Sequence, residues 1–290
     1  MASRFSIRKT RLSRSTGGDI VIILFLLIGG AFMVIPMILI ISNAFKPLNE
    51  LFLFPPRLIV RNPTTKNFHD LMVMMAQSWV PFGRYLLNSL IIVTLGTLGN
   101  VFFGSLAAYV ISVRRVPGTK TFMSIVVLSL MFTSEVTRIP NYVTIAFLGW
   151  IDSLRSIIIP RWSAPLGLYL VSRFIEGMID RSLIEAAEID GAGDFRIYWQ
   201  IVMPNIKPAW LTMIILSFQE LWRTQGGHYI YSEQLKTLPY ALNQLAAQGG
   251  VARQGVQAAV TLIMMIVPII VFLINQSKIV DTMGHSGMAN

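Results

Sequence analysis

The stretch from Ile20 to Ile41, IVIILFLLIGGAFMVIPMILII, decides the class of fold because its 22 residues include no charge. A helix needs about 20 apolar residues to cross the hydrocarbon core of a bilayer. The run is longer than the apolar part of a usual signal peptide, and no small-x-small cleavage site follows it. We therefore expect a transmembrane helix here rather than a secretory signal.

The composition of the whole chain agrees with this expectation. Of its 290 residues 54% are hydrophobic and 13% are charged, whereas soluble domains carry about 25% charged residues. Cysteine is absent, which excludes disulfides. The net charge of +10 could suggest nucleic acid, but five basic residues precede the first apolar run, as is typical of a cytoplasmic flank: Arg4, Arg8, Lys9, Arg11 and Arg14.

Five further apolar windows follow along the chain. Two of them, Tyr85–Val113 and Gln254–Ser277, are uncharged and long enough to span a membrane. The others are weaker: Thr121–Leu148 is interrupted by charges and a proline, and Trp162–Ser172 and Pro208–Gln219 are short. The short pair could be buried soluble helices or re-entrant segments, but their apolar neighbours favour spans.

The sequence therefore predicts an all-α, polytopic membrane protein with about six transmembrane helices. We expect a cytoplasmic tail at 1–19, a transmembrane domain at 20–280 and a cytoplasmic tail at 281–290. Under this topology Arg114, Arg115 and Lys120 lie inside, as positive charges should. The external stretch Asn43–Arg84 carries five basic residues against the rule, and its Pro55-Pro56 and Asn62-Pro63 pairs suggest an ordered loop with turns.

The link from Arg173 to Lys207 is a soluble element between two spans, with ten of the chain's 38 charges in 35 residues. Ser182 to Glu185 fits a capping box, Asp190-Gly191 offers a turn, and Asp194 can cap a second helix. Pro204 and Pro208 then stop that helix, which predicts a helix–turn–helix that we call the hook (residues about 178–207).

The link from Arg173 to Lys207, which contains the hook, is acidic, with six acids against four bases. An amphipathic hairpin resting on lipid would carry Lys and Arg on its polar face. The small residues of the hook permit close approach of another backbone, and Phe195, Tyr198 and Trp199 give it an apolar face. A basic protein groove suits this composition better than an anionic membrane.

The hook resembles the "EAA" loop of binding-protein-dependent ABC importer permeases, closest to the carbohydrate-importer subfamily related to the maltose permeases. The residues that carry the resemblance are Glu185, Ala186, Ala187, Asp190, Gly191, Ala192, Phe195, Ile201, Pro204 and Pro208. It extends over roughly Tyr85 to Val280. Met203 stands where Leu is common, and Gln219-Glu220-Leu221-Trp222-Arg223 stands where Trp-Asn is frequent, which affects the expected solute more than the class.

The resemblance implies that this chain forms the transport path while partner subunits hydrolyse ATP. The first helix of the hook would dock in a cleft of an ATPase subunit, with Glu185 beside a basic residue, and the coupling residues would be Glu185, Ala186, Ala187, Asp190, Gly191, Ala192, Phe195 and Pro204. The implied partners are a second permease, two ATPase subunits that hold ATP-Mg, and an extracytoplasmic solute-binding protein. The implied location is a bacterial plasma membrane, with both termini in the cytoplasm.

Catalytic motifs are missing from the sequence. There is no G-x-x-x-x-G-K-[ST] phosphate loop and no G-x-S-x-G, and the three histidines, His69, His228 and His285, are far apart. We therefore expect no enzyme activity, no metal and no cofactor in this chain.

Polar residues inside spans are costly and mark candidate solute paths. The candidates are Glu135, Arg138, Asn141, Tyr142, Gln219, Glu220 and Trp222. Glu135 and Arg138 could instead neutralise each other at i and i+3, and Trp222 could be an interfacial tryptophan. Pro140 fits a helix broken beside a cavity.

Alternatives to a sugar importer stay open. The chain could serve an importer for a polyol, glycerol phosphate or amino acid, although a phosphate would need several basic residues and only Arg138 is evident. An ion channel or secondary carrier would predict flux from the chain alone or an internal repeat. A membrane-anchored scaffold would not explain the broken, polar spans.

Overall fold

A computed structural model describes residues 16–114, 116–247 and 250–286, and within them every regular element is a helix. The α-helices are α1 Thr16–Phe45, α2 Leu48–Leu51, α3 Lys66–Ala76, α4 Phe82–Val113, α5 Thr119–Ser129, α6 Ser134–Phe147, α7 Arg155–Trp162, α8 Pro165–Met178, α9 Arg181–Ile189, α10 Asp194–Arg196, α11 Met203–Asn205, α12 Lys207–Trp222, α13 Leu238–Ala247 and α14 Gln254–Ser286. A π-helical turn spans Ile197–Val202, and 3-10 turns span Glu233–Leu235 and Gly250–Arg253.

The three uncharged windows are confirmed as long helices. Segments Gly17–Phe45, Phe82–Val113 and Gln254–Gln276 are each long and apolar enough to cross a membrane. The best apolar window of α1 is 0% buried inside the chain. Such a surface is stable only against lipid or another protein, because exposing it to water is unfavourable.

The third window is broken, but at a different place from the one predicted. The chain bends by 112° between α5 and α6, at Leu130–Thr133, whereas Pro140 lies inside α6. Thr133 is extended and immediately precedes the new helix, and Pro140 removes only one backbone hydrogen bond within that helix. The prediction of a break at Pro140 was wrong.

The two short windows do not form long helices. Trp162–Ser172 is divided at Ser163 and Ala164, so Trp162 ends α7 and the 14-residue α8 follows. At 1.5 Å per residue α8 is about 21 Å long, less than the roughly 30 Å of hydrocarbon. α12 has 16 residues and is bent by 81° from the preceding Asp194–Asn205. If each bent pair is one span, up to five spans meet the length and composition test, and six stays a prediction.

Helix α4 is the centre of the bundle and packs against α7, α8 and α12. One buried core surrounds its first half and includes Ile92 with Leu221, Trp222 and Leu242. A second core surrounds its last turns and includes Ala108, Tyr109, Val171, Ile197, Tyr198 and Met213. The hook packs into this second core, so it is fastened to one end of the bundle.

Close helix packing in α4 depends on glycine. A Cβ added at Gly99 would lie 2.0 Å from Nε1 of Trp162. The Trp162 indole donates to the carbonyl of Leu95 at 3.0 Å and stacks on Phe103 with centroids 5.1 Å apart. The missing side chain is what allows α7 to lie against α4 here.

The segment after α1 is ordered, as its turn residues predicted. Lys46 is 1% exposed and donates to Oδ1 of Asn43 at 2.8 Å and to the carbonyl of Arg57 at 2.6 Å. The carboxylate of Glu50 accepts the backbone N–H groups of Arg61 and Asn62. These contacts fold residues 43–62 back on themselves, and their side of the membrane stays a prediction.

Some expectations fall outside the described residues. The five basic residues of the N-terminal flank and Arg115 lie there, as do residues 287–290. Of the predicted C-terminal tail, the part up to Ser286 continues helix α14.

Candidate functional site

The hook has the predicted helix–turn–helix form. α9 ends at Ile189, and the chain turns through Asp190 to Gly193, where Gly191 has φ 78°. That left-handed conformation strains residues with a Cβ, which explains the glycine. α10, the π-helical turn and α11 then run to Asn205.

The predicted caps of the hook helices are wrong. α9 begins at Arg181, after an extended Asp180, so Ser182 is its second residue and no side-chain cap bond forms. Asp194 is likewise the first residue of α10 rather than its cap, which is Gly193. The observed caps lie two positions before Ser182 and one position before Asp194, and residue type alone does not fix a helix start to within one or two residues.

The first helix of the hook has a buried and an exposed face. Ile184 and Ala187 point inward and are 5% and 8% exposed. Glu185 and Ala186 are exposed, and Ile189 is 86% exposed. The expectation that Ala187 contacts a partner therefore conflicts with this geometry, because its side chain packs inside the chain's own core.

The second half of the hook also has both exposed and buried side chains. Phe195 and Trp199 are 65% and 55% exposed, whereas Tyr198 is 1% exposed and belongs to the core. Only two of the three predicted aromatic residues therefore face outward. Of the other predicted coupling residues, Asp190, Gly191 and Pro204 are exposed and Ala192 is half-buried.

Glu185 already has a partner within its own helix. Nε of Arg181 donates to its Oε1 at 2.9 Å, at i and i+4, and both side chains are more than half exposed. Pairs of this kind contribute about 0.2–0.5 kcal/mol. Such a weak bond can be exchanged for a stronger partner.

Arg114 fastens the hook to the end of α4. Its guanidinium pairs with Glu188 on α9 and with Asp194 on α10, and Nη2 lies 3.4 Å from the hydroxyl of Tyr109. Desolvation alone lowers the pKa of Arg114, but hydrogen bonds to Glu188 and Tyr109 raise it above its ordinary value, so the charge is permanent.

The first four candidate path residues lie on α6. Nη1 of Arg138 is 3.2 Å from Oε2 of Glu135, so the predicted i, i+3 pair forms, with both side chains more than half exposed. Asn141 is also exposed. α6 packs only sparsely against the other described helices.

Tyr142 belongs to an aromatic cluster that sequence reasoning missed. Its ring stacks on Tyr229 with centroids 6.3 Å apart, and its hydroxyl is 3.3 Å from that of Tyr231. Asp152 binds the segment that carries Tyr229 and Tyr231, because its Oδ1 accepts the backbone N–H groups of Tyr231 and Ser232 at 2.9 and 2.8 Å. The Ser232 hydroxyl and backbone N–H hold the pKa of Asp152 below its ordinary value.

Glu220 on α12 pairs with Arg161 at the end of α7. Arg161 is 14% exposed, and its Nη2 donates to the hydroxyl of Ser217 at 3.3 Å. Asn100 of α4 donates to the same hydroxyl. The pair joins α7 to α12, and Asn100 adds α4 through Ser217. Sequence reasoning missed the pair because Arg161 and Glu220 lie 59 positions apart.

The last two candidate residues of the solute path differ in exposure. Gln219 is exposed beside Glu220. Trp222 is 2% exposed, stacks on Phe218 at 6.0 Å and donates to the carbonyl of Met264 at 3.2 Å. It is a core residue, so neither a solute contact nor an interfacial position describes it in this conformation.

Metal ligands do not gather in the described part of the chain. Among residues 16–114, 116–247 and 250–286, no three of His, Asp or Glu come together as a metal site would require.

Comparisons with known proteins agree with one another. The model of the family described as "binding-protein-dependent transport system inner membrane component" matches residues 100–276, which is more than half of the chain. The chain is 30% identical over 234 residues to the sn-glycerol-3-phosphate transport system permease protein UgpE of Pectobacterium atrosepticum, covering 78% of this chain and 82% of that one. It is 28% identical over 186 residues to the melibiose/raffinose/stachyose import permease protein MelC of Bacillus subtilis, covering 62% and 66%.

A solved structure shares the fold. A chain from the crystal structure of a bacterial ABC transporter involved in the import of the acidic polysaccharide alginate superposes with TM-score 0.75 at 21% identity, over 91% of this chain and 98% of that one.

Proposed function

Because the chain belongs to the family of binding-protein-dependent transport system inner membrane components, we propose that it is the permease through which an ABC importer moves a sugar or oligosaccharide into a bacterial cell. It is a transport component and not an enzyme. The partners we propose are a second permease, two ATPase subunits carrying ATP-Mg, and an extracytoplasmic binding protein.

The outer face of the hook is the observation that carries this proposal. Glu185 and Ala186 stand beside the exposed apolar side chains of Ile189, Phe195 and Trp199. Exposed apolar surface rimmed by charge is typical of a protein contact. Glu185 can leave Arg181 for a basic residue of the ATPase at little cost, because the existing bond is weak.

The length of α4 supports one part of the proposed orientation, in which the hook is cytoplasmic and the 233–238 segment is external; both termini are proposed to be cytoplasmic. The hook is fastened at Arg114, whereas Asn88 donates to the carbonyls of Gln234 and Lys236 near the other end. Residues 88 and 114 are about 40 Å apart along an α-helix. That separation exceeds the roughly 30 Å of bilayer hydrocarbon, so the hook and the 233–238 segment face opposite sides.

Transport then proceeds by alternating access. ATP-driven closure of the two ATPase subunits moves the hooks, and the spans rock between outward-open and inward-open arrangements. The solute passes the polar residues of α6 and α12, with Tyr142 and Glu220 as the best-placed candidates from this chain.

A second candidate solute is glycerol phosphate, which the resemblance to UgpE favours. An anionic solute is bound best where cations outnumber the neighbouring carboxylates. Arg138 is paired with Glu135, and Arg161 is paired with Glu220. The path residues of this chain are therefore close to neutral, which favours an uncharged sugar.

Glu185→Gln tests the coupling role. Removing a partly desolvated ion pair with the ATPase should lower solute-stimulated ATP hydrolysis by about tenfold or more. Loss of the intrahelical pair with Arg181 alone is too small in free energy to cause a tenfold decrease in ATP hydrolysis. Glu176→Gln is the matched control, because Glu176 also pairs within one helix, with Arg173 at 2.8 Å. Equal activity of the two variants would refute the docking role of Glu185.

The solute is tested by stimulation of the reconstituted importer. Its binding protein is loaded with neutral mono- and oligosaccharides or with sn-glycerol 3-phosphate, and ATP hydrolysis is measured. We expect stimulation by a sugar. Stimulation by glycerol phosphate alone would establish the second candidate instead.

A further inference from the structure

Arg114 joins both halves of the hook to α4. Its Nη1 pairs with Glu188 in α9, and its Nη2 pairs with Asp194, the first residue of α10. The hydroxyl of Tyr109 also donates to Oδ1 of Asp194 at 3.2 Å. We call Arg114, Glu188, Asp194 and Tyr109 the Arg114 clamp. A planar guanidinium can hold two carboxylates at once, which a lysine cannot do with the same geometry.

A second, buried contact fastens the hook one turn further along the same helix. The hydroxyls of Ser105 and Tyr198 share a hydrogen bond of 2.8 Å. The rings of Tyr109 and Tyr198 meet edge to face with centroids 5.6 Å apart. Tyr198 is 1% exposed, so this contact is dry. The hook is therefore tied to α4 from Ser105 to Arg114, over more than two turns.

The links from the hook to its own flanking helices are not continuous helix. Ile179 and Asp180 are extended between α8 and α9. The chain bends by 81° before α12 at Ile206. Along the sequence the hook is thus connected through bends, whereas in space it is clamped to α4.

From this arrangement we propose that Arg114 is a positioning residue, which holds the hook rigidly on α4 so that a push from the ATPase moves α4 and not the hook alone. The inference rests on the proposed coupling function. Because α4 packs against α7, α8 and α12, its displacement reaches the Arg161–Glu220 pair and the rest of the bundle.

The clamp matters for coupling more than for stability. Its side chains are 32%, 40% and 67% exposed at Arg114, Glu188 and Asp194. Exposed ion pairs add little to folding but can shift a two-state equilibrium by about fivefold. We therefore expect Arg114→Gln to leave the thermal unfolding midpoint close to that of wild type.

The test is the amount of solute moved per ATP hydrolysed by the full importer in liposomes. Arg114→Gln should keep ATP hydrolysis near the wild-type rate and lower solute moved per ATP by about fivefold. Arg173→Gln, which removes a pair confined to α8, should leave the ratio unchanged. An unchanged ratio in Arg114→Gln would overturn the inference.

A cross-link gives a second measurement, in which a covalent bridge takes the place of the Arg114–Glu188 pair. The chain has no cysteine of its own, so Arg114→Cys with Glu188→Cys supplies the only two thiols of this subunit that a short bis-maleimide can join. If the hook and α4 move together, the bridged importer keeps transporting. A bridge that stops transport shows that they move apart, and the inference then fails.

These outcomes are distinct from failure of the proposed function. If the wild-type chain does not couple solute movement to ATP hydrolysis, the proposed function and the clamp fall together. If wild type couples and the Arg114 variants couple equally well, only the clamp falls.

Discussion

Gly99→Ala is the change whose effect the structure defines best. The added Cβ would lie 2.0, 2.2 and 2.5 Å from three atoms of the Trp162 indole. The ring would have to move, which breaks its 3.0 Å hydrogen bond to Leu95 and disturbs its stacking on Phe103. Since α7 and α4 are both held in the bundle, the clash cannot be relieved by a small shift of one flexible chain end.

The expected magnitude follows from three opposing contributions. Overpacking of a packed contact costs about 1–3 kcal/mol, and loss of the indole hydrogen bond costs about 1 kcal/mol. Alanine is favoured over glycine in a helix by about 1 kcal/mol. The free energy of unfolding should therefore fall by about 1–3 kcal/mol.

The assay is equilibrium unfolding of the purified chain in mixed detergent micelles, followed by far-ultraviolet circular dichroism. Gly83→Ala is the matched control, because it lies in the same helix and a Cβ there would meet no atom within 4 Å. Gly99→Ala should unfold at lower denaturant than Gly83→Ala. If the two variants unfold together, the close contact between α4 and α7 is not as described.

Three further changes test other parts of the bundle. Arg161→Gln and Glu220→Gln each leave a charge unpaired, so the free energy of unfolding of each should be about 1–3 kcal/mol lower than that of the double variant. A double-mutant cycle measures this difference, and additive effects of the two substitutions would contradict the Arg161–Glu220 pair. Hydrogen bonds from Ser232 lower the pKa of Asp152, so the free energy of unfolding of wild type should fall as the pH drops below about 4 and through the folded pKa of Asp152. In a pH titration of unfolding, Asp152→Asn should lack the decrease that comes from Asp152. Identical titrations of wild type and Asp152→Asn would contradict these hydrogen bonds. Tyr198→Phe should lower the unfolding free energy by about 1 kcal/mol through loss of its buried hydrogen bond to α4, and unchanged stability would contradict that bond.

The long spans were predictable because their signal is uniform. Ile20–Ile41 lies inside α1, Tyr85–Val113 inside α4, and Gln254–Ser277 inside α14. An unbroken apolar run needs no knowledge of neighbours, since in a bilayer the backbone must satisfy itself as a helix. The helix–turn–helix of the hook was predictable for a related reason, because Gly191 suits a conformation that few residues adopt.

The predictions that failed concern positions where the local sequence does not specify the observed structure. The bend at Leu130–Thr133, rather than at Pro140, is not marked by any strong breaker in the sequence. Trp222 ends an apolar run and looks interfacial, but Met264 of α14 accepts its indole N–H and buries it. At Trp222 a tertiary contact overrode the local pattern.

The candidate site shows the same division. The expected coupling residues of the hook came from its resemblance to the EAA loop, but the inward position of Ala187 could not be predicted, because it depends on which face of α9 meets the core. The Arg161–Glu220 pair and the Tyr142–Tyr229 stack join segments far apart in sequence. Only the fold brings them together.

The central claim is that the hook is where this chain binds an ATPase. The most direct measurement is co-purification of the tagged chain with its ATPase subunits after residues Glu185–Gly191 are replaced by a Gly/Ser sequence of equal length. We expect the ATPase to be lost from the purified complex while the chain keeps its helical circular dichroism. Recovery of the ATPase at the wild-type yield would contradict the claim.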